Sequence, residues 1–531
     1  MTTSYSDLRI FIYGPPGSGK STLGIGLAEA LGLPFIDLDS AITRQARQTI
    51  PQIFAAEGEA GFRERESAAL RRVCGEESAV ISLGGGALLN ETNRTLAESA
   101  GRVICLEASL ETLVSRTTAQ AGSRPLLVAD SGSAAARLAE LLEQRSTHYN
   151  SFPLRLKVTN AVPSVNQRAL QVMLGVYQVS GMGHPYRVHI ANGAIKNVGH
   201  LLSGVVAPSP VLIVADTNTA RLYGEVATDS LSGAGFKPSL LTIESGEANK
   251  TVGTVEQIWQ AARQAKIDRS GMLVALGGGV VGDLTGFAAA TWLRGVSWAV
   301  VPTTLLAMVD SSLGGKTGAD LPQGKNLIGA FHPPAIVISD PEVLHTLPRT
   351  ELCSGLAEVV KHGVIDDPVL FEDCAALAGR PEAVCGDALF VARAMAVKIR
   401  TICADPYEKG VRASLNLGHT IGHGIELAMN FSLTHGAAVA IGMVAVVQLA
   451  ERLGKLKDLQ LSARLSEVLT GLGLPVELPV ELDHKACLEA IRLDKKRAAG
   501  VVRFVLPRQI GEVETGVEIP ENLLREVLYD V

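Results

Sequence analysis

An α/β architecture in consecutive parts follows from two features of the sequence. Short β-branched runs alternate with longer helical stretches through residue 155 and again from Tyr186 to Ser339. That rhythm builds parallel sheets covered by helices. Beyond Pro341 the periodicity becomes mainly helical, up to residue 497. A chain of 531 residues has room for roughly three or four domains at about 150 residues each. The division expected is 1–165, a linker over 166–184, an α/β domain over 185–340, and a mainly helical domain over 341–531.

Taken in order, Leu8–Tyr13 reads as a strand that ends at a Gly/Pro loop, and Ser21–Leu31 as the helix after it. Pro34–Leu38, Ala79–Leu83 and Arg102–Leu106 supply further strands. Residues 160–186 carry Pro, Ser, Asn and Gly with little periodicity, which predicts the linker. In the second half, strands are expected at Tyr186–Ile190, Val211–Ala215, Leu240–Ile243, Met272–Leu276, Ala299–Val301 and Ala335–Ser339. A last short strand is expected at Val501–Leu506.

Composition excludes several classes. A net charge of −6 argues against a general polyanion binder, so no nucleic-acid partner is expected. The apolar runs near Val296–Val309 and Ala437–Ala450 fall short of the ~20 residues that span a bilayer. No membrane partner is expected. Seven scattered cysteines without a C-x-x-C pair read as reduced thiols of a cytoplasmic protein.

Gly14-Pro15-Pro16-Gly17-Ser18-Gly19-Lys20-Ser21 fits G-x-x-x-x-G-K-[ST] between a strand and a helix. Its backbone amides can wrap phosphates and the helix N-terminus adds positive charge. Lys20 would reach the β/γ-phosphates of ATP, and the Ser21 hydroxyl would ligate Mg²⁺. This makes the first domain P-loop NTPase-type. Asp37 and Asp39 place two carboxylates at a strand end. Arg63, Gly84–Gly86, Arg124-Pro125-Leu126-Leu127 and Arg145 add anion-binding groups.

Together these residues resemble shikimate kinase over nearly all of 8–155, through the phosphate loop, the D-x-D, Phe62–Glu66, the triple glycine and the R-P-L-L segment. The resemblance implies that Gly17, Ser18, Gly19, Lys20, Ser21, Thr22 and Arg124 hold ATP with Mg²⁺. It implies that Asp39, Arg63, Gly85 and Arg145 hold shikimate, with Asp39 the base, Asp37 near the metal and Arg116 against adenine.

Gly277-Gly278-Gly279-Val280-Val281-Gly282 contains G-x-G-x-x-G between a strand and a helix, which lets backbone approach a pyrophosphate. No acidic residue stands near twenty positions downstream, where Pro302-Thr303-Thr304 lies. Asp216, just past another strand, is the alternative ribose partner. His419 and His423 stand at i and i+4, His435 follows, and Glu358 lies upstream. Two His and one carboxylate form the usual ligand set of a catalytic Zn²⁺. Spacing alone does not choose among His362, His419, His423 and His435. Lys316, Lys325, Lys361, Lys398 and Arg412 sit beside glycines or presumed helix starts and suit an anionic substrate.

Over 185–510 the chain resembles 3-dehydroquinate synthase, through S-G-E-x-x-K at Ser245–Lys250, L-G-G-G-V-V-G-D, G-G-K-T-G, G-K-N-L-I-G-A-F-H, A-E-V-V-K-H-G and L-N-L-G-H-T-I-G-H. The resemblance implies Glu358, His419 and His435 as ligands of Zn²⁺ or Co²⁺, with His423 facing the substrate. It implies an NAD site from Asp216, Glu247, Lys250, Gly279, Val280, Val281, Gly282, Asp283, Thr303, Thr304 and Thr346. Asp310, Lys316, Lys325, Asn326, Lys361, Lys398, Arg412 and Asn416 would line the pocket for a heptulosonate phosphate, with Lys495 or Lys496 arriving late. Arg294 would reach a neighbouring subunit, making a homodimer. The implied reaction oxidises a hydroxyl, eliminates phosphate, reduces the ketone again and closes a carbocycle, so NAD is not consumed. Where the family shows H-G-E-A-V, this chain has His435-Gly436-Ala437-Ala438-Val439, which removes one possible carboxylate support for the metal ligands.

The residues alone leave other readings open. The first half could phosphorylate another small acceptor or act as a regulatory nucleotide-binding module. The second could be a different sugar-phosphate cyclase or a metal-dependent polyol dehydrogenase.

Overall fold

The computed structural model describes residues 9–75, 78–118, 134–158, 163–322, 324–497 and 502–529. The chain divides into two compact units at Val176/Tyr177. In the first, strands β1 (Arg9–Tyr13), β2 (Phe35–Asp37), β3 (Ala79–Ser82), β4 (Arg102–Glu107) and β5 (Arg155–Lys157) form one sheet in the order β2-β3-β1-β4-β5. Its paired strands all run parallel. Successive residues of β1 point to opposite faces. Phe11 and Tyr13 enter one core with Phe62 and Leu70 of the helix Ile50–Cys74. Ile10 and Ile12 enter the other with Leu23, Leu27 and Leu31 of the helix Lys20–Leu31. Burial on both faces is what a parallel sheet requires.

The expected linker over 166–184 is corrected. A helix spans Pro163–Leu174, and its Leu170 and Leu174 are buried in the core beside Leu27. Its polar first turn after Pro163 hid an apolar face that repeats only once. The edge strand β5 escaped notice for a similar reason, since Leu156 is the buried residue between two exposed cations.

In the second unit, β6 (Val176–Val179), β7 (Tyr186–Ile190), β8 (Pro210–Asp216), β9 (Lys237–Ile243), β10 (Met272–Gly277) and β11 (Ser297–Pro302) precede a hairpin, β12 (Lys316–Leu321) and β13 (Gly324–Phe331). Then comes β14 (Ile336–Ser339). The large sheet runs β6-β7-β14-β11-β10-β8-β9, with β10 wholly buried at the middle of the glycine-turn strands. The hairpin was not expected from sequence, because its glycines and lysines read as binding loops.

After Pro341 the helices Arg349–Asp366, Ala388–Ala404, His419–Ala428 and His435–Arg452 form the heart of the second layer. The final strand is one half of a hairpin, β15 (Arg503–Gln509) with β16 (Glu512–Glu518), where one short strand was expected. Glycines set the spacing of these helices. A Cβ on Gly442 would collide with the carbonyl oxygen of Gly418, and one on Gly422 would come 3.0 Å from that of Ala438. Gly436 is pressed in the same way against Ser354. The helices bearing His419, His435 and Glu358 therefore touch backbone to backbone. Among the described residues no helix is long and apolar enough to cross a membrane.

A methyl group at Gly442 must push two helices apart, at a cost of about 1–3 kcal/mol. Gly442→Ala is expected to lower the midpoint of the second unit's thermal transition by several degrees while leaving the first unit's transition in place. Calorimetry of the intact chain checks this.

Candidate functional sites

In the first unit the phosphate loop runs between β1 and the helix Lys20–Leu31, with Gly19 in the left-handed region (φ 89°) as the helix N-cap. Lys20 Nζ donates to the carbonyls of Gly14 and Pro15, both at 3.0 Å, which fastens the loop. Ser21 Oγ donates to Asp37 Oδ2 at 2.8 Å and lies 3.4 Å from Ser82 Oγ. Three oxygens from the ends of β2, β3 and the loop thus converge where a hard cation would sit. Arg116 Nη1 lies 3.4 Å from a Cβ built on Gly19, so it borders the loop. Arg124 falls outside the described residues.

The triple glycine faces this loop. Cβ atoms on Gly84 and Gly86 would stand 2.7 Å from Glu66 Oε1 and Arg63 Nη2, respectively. Arg63 and Glu66 pair at 2.7 Å just beneath them. Burial raises the Glu66 carboxyl, and the Arg63 cation offsets only part of that. Asp39 Oδ1 lies 3.2 Å from the Gly84 Cβ position, so Asp39, Arg63 and the glycines share one wall. Arg145 Nη1 and the Tyr149 hydroxyl both donate to the Gly85 carbonyl, at 3.2 and 2.8 Å. The Tyr13 hydroxyl approaches the same oxygen at 3.3 Å. Tyr13 and Tyr149 were not singled out in the sequence, since nothing local marks a residue that orients a distant peptide.

In the second unit Glu358 is fully buried, and its Oε1 lies 3.5 Å from Nε2 of both His419 and His435. Donor atoms of these three side chains fall within 4.8 Å of one another. His419 Nδ1 rests 3.2 Å from the Leu417 carbonyl, and His435 Nδ1 lies 3.4 Å from Glu426 Oε1. Burial pushes Glu358 up, but Lys361 and the two imidazoles hold it well below the usual carboxylate range. Burial and Lys361 press His419 well below its ordinary value, which leaves it neutral. For His435 burial works downward, yet its contacts with two carboxylates bring it up to about 10. Two imidazoles and a carboxylate with their outer atoms already occupied fit a divalent ion.

Glu358, His419 and His435 form one of three groups among the described residues whose side chains could hold a metal ion. His362 anchors its Nδ1 3.0 Å from the Ala394 carbonyl, while its buried Nε2 has no hydrogen-bond partner among the described residues. With Asp310 and Glu358 it forms a second group whose ligand atoms lie within 4.8 Å of one another, and burial lowers it to about 4. His423 is exposed and stands near Glu426 and His435. Around this centre the cations pair with acids. Lys361 contacts Glu358, Lys398 meets Asp310 at 2.6 Å, and Lys316 contacts Glu408. Asn416 Nδ2 donates to Glu408 at 3.2 Å, and Arg412 donates to the Pro406 carbonyl. Glu408 and Glu426 were not singled out in the sequence. Glu426 had a visible signal, being three residues after His423 on the same helix face.

The glycine turn lies alongside. Gly278 caps the helix Gly279–Thr291, and a Cβ on it would meet Thr304 at 3.2 Å. Gly282 has open space where a Cβ would stand, at the edge of a cavity lined also by Asp283, Ser311 and Lys316. A helix N-terminus over such a gap fits a pyrophosphate. Lys250 bridges Asp283 at 2.6 Å and Asn326 at 2.7 Å, while Lys325 meets Glu247 at 3.2 Å. Asp216 Oδ1 is spent on capping the helix Thr217–Gly233, accepting from Asn218 and Thr219. Thr303 N–H donates to the Gly277 carbonyl, and Thr346 bonds Tyr223 at 2.5 Å. Arg294 lies on an exposed turn and, with Leu293, holds a positive φ (69° and 51°). Among the described residues no ion pair ties it to the cluster.

Residues 16–173 match the family model for shikimate kinase. Residues 240–354 and 355–497 match the N-terminal and C-terminal models of 3-dehydroquinate synthase. A 3-dehydroquinate synthase of Synechococcus sp. is 46% identical over 353 residues, covering 65% of this chain and 96% of that protein. A 2-epi-5-epi-valiolone synthase from Streptomyces hygroscopicus, solved with NAD+ and Zn2+, matches with TM-score 0.61 at 29% identity, covering 67% of this chain and 99% of that one. A 2-deoxy-scyllo-inosose synthase, solved with carbaglucose-6-phosphate, NAD+ and Co2+, matches with TM-score 0.62 at 25% identity over the same shares. With the glycine turn and the Glu358–His419–His435 cluster in one unit and the phosphate loop in the other, the chain belongs to the 3-dehydroquinate synthase family and carries a shikimate kinase domain ahead of it.

Proposed function

We propose that the chain performs two separate reactions. The first unit phosphorylates shikimate with ATP, and the second cyclises 3-deoxy-D-arabino-heptulosonate 7-phosphate to 3-dehydroquinate with loss of phosphate. The observation that carries the second assignment is the convergence of Glu358, His419 and His435 beside the Lys398–Asp310 pair.

In the kinase unit Ser21 and Asp37 would hold Mg²⁺, and Lys20 would exchange its loop carbonyls for phosphate oxygens. Gly17, Ser18, Gly19 and Thr22 would complete the cradle, and Arg124 would close over it. Arg63, Gly85 and Arg145 would seat shikimate against Asp39, its base. Positioning and charge neutralisation make up most of phosphoryl-transfer catalysis.

In the cyclase unit Glu358, His419 and His435 would hold Zn²⁺ or Co²⁺, and Gly279–Asp283 with Lys250, Glu247, Asp216, Thr303, Thr304 and Thr346 would hold NAD. Held there, the ion would supply polarisation of a substrate oxygen and the nicotinamide would supply reversible hydride transfer. His435 must give up its proton to ligate, so metal uptake is linked to proton release. Lys398, Lys361, Lys316, Lys325 and Arg412 would neutralise the substrate's phosphate and carboxylate, with Asn326, Asn416, Asp310 and His423 orienting hydroxyls. Burial lowers Lys398, and Asp310 offsets only part of that, so this ammonium is poised to exchange a proton more readily than a surface lysine. Two successive residues held at positive φ place Arg294 outward on its turn, as a contact to a second subunit would need. Free thiols at all seven cysteines fit a cytoplasmic protein.

Incubation with the heptulosonate phosphate should release orthophosphate with no net NADH; steady NADH accumulation would instead identify a polyol dehydrogenase. Lys20→Ala should cut shikimate-dependent ADP formation by about 100-fold or more and leave orthophosphate release intact. Loss of both activities would contradict two independent units. Lys361→Met strands the Glu358 charge in the core, which costs about 3–5 kcal/mol when one partner of a buried pair is removed. Denaturant unfolding in chelator should show that loss, and added Zn²⁺ should recover most of it by supplying the missing positive charge.

A further inference from the structure

We propose that Glu426 is the positioning residue for His435: its carboxylate accepts from Nδ1–H and so fixes the tautomer that presents Nε2 toward Glu358. The inference rests on the metal reading of Glu358, His419 and His435.

An imidazole can offer either nitrogen, and the hydrogen bond at one decides which lone pair is free at the other. His419 has a backbone acceptor for this purpose, the Leu417 carbonyl at 3.2 Å. His435 opens its helix, with the N-cap Thr434 accepting from the Ala437 amide, and among the described residues no backbone carbonyl hydrogen-bonds its ring. Ala437, where an acidic residue was expected to help, has no acceptor side chain. Glu426 fills that role from another helix. It stands seven residues after His419, two turns along the same face, and reaches His435 Nδ1 at 3.4 Å. Its side chain is only 9% exposed, so water competes weakly for the bond. Ala437 removes one possible carboxylate support, and Glu426 supplies one from sequence that lies before His435 rather than after it.

The same geometry makes one acidic residue couple two ligands. The helix His419–Ala428 carries His419 itself and the acceptor for His435, and it packs on the helix His435–Arg452 through Gly422 and Gly442. A rival use of these atoms exists. His423, Glu426 and His435 also lie within 4.8 Å of one another and could hold a second cation. That use needs the Nδ1 lone pair of His435 as a ligand, whereas the positioning role needs an Nδ1–H donor. One nitrogen cannot do both.

The test uses the full chain, stripped with chelator and titrated with Zn²⁺ against a chromophoric competitor, with Co²⁺ absorption as a spectral readout. The wild type should take up one tightly bound Zn²⁺. Glu426→Ala should bind it 10- to 100-fold more weakly, with a shifted Co²⁺ visible spectrum. Glu426→Gln, which keeps a neutral acceptor of the same shape, should fall between. Both variants should keep wild-type NAD affinity and shikimate phosphorylation, which a general loss of fold would not allow. Wild-type Zn²⁺ affinity in Glu426→Ala overturns the inference. So does uptake of two Zn²⁺ by the wild type and one by the variant, which would assign the rival cation site. A wild type that takes up no Zn²⁺ or Co²⁺ at all refutes the metal reading itself rather than the role of Glu426.

Discussion

The second unit is organised around one buried negative charge. Glu358 has no exposure to solvent, and burying a bare carboxylate costs several kcal/mol. Everything that touches it answers that cost, namely the Lys361 ammonium one turn along its own helix and the imidazoles of His419 and His435 from two others. In turn Glu426 balances His435, and Asp310 balances Lys398. The site is thus a lattice of alternating charges in a low-dielectric interior. Donors from three helices point inward at Glu358, His419 and His435. Among the described residues two further groups, His423 with Glu426 and His435 and Asp310 with Glu358 and His362, also bring ligand atoms within 4.8 Å of one another.

Close backbone approach is what allows this arrangement. Gly422, Gly436 and Gly442 let the ligand-bearing helices meet without intervening side chains, so the imidazoles and the carboxylate come within bonding range of a common point. The first unit uses glycine to the same end by different means. There Gly84 and Gly86 let the Arg63–Glu66 pair rise against the loop that faces the phosphate cradle, and Gly85 is steadied through its carbonyl by Arg145 and Tyr149. In both units main chain and cations held in ion pairs border the candidate site. Preorganised charge of that kind needs little rearrangement when a phosphate arrives.

Much of this was legible in the chain itself. The phosphate loop, the strand before it and the helix after it are local features, since G-x-x-x-x-G-K-S specifies its own turn. The glycine turn at Gly277–Gly282 and the pairing of His419 with His423 at one helical spacing were visible for the same reason. What failed were features without a local signature. The helix Pro163–Leu174 looked like a linker because a single apolar repeat is a weak periodic signal, and its burial beside Leu27 comes from the sheet it covers. The hairpin of β12 and β13 was hidden because Gly and Lys are poor strand formers whose pairing is fixed by the opposite strand.

The sequence by itself determined the two glycine-rich turns, the strands that lead into them and the His419–His423 pair, because each depends on spacing within one element. Tertiary structure decided which of those residues act together. It turned His362 toward the Ala394 carbonyl, set His419 and His435 on Glu358, and brought Glu426 to His435 and Glu408 to Lys316. Those choices depend on how helices far apart in the chain pack face to face, and direction across such an interface is not encoded by any single segment.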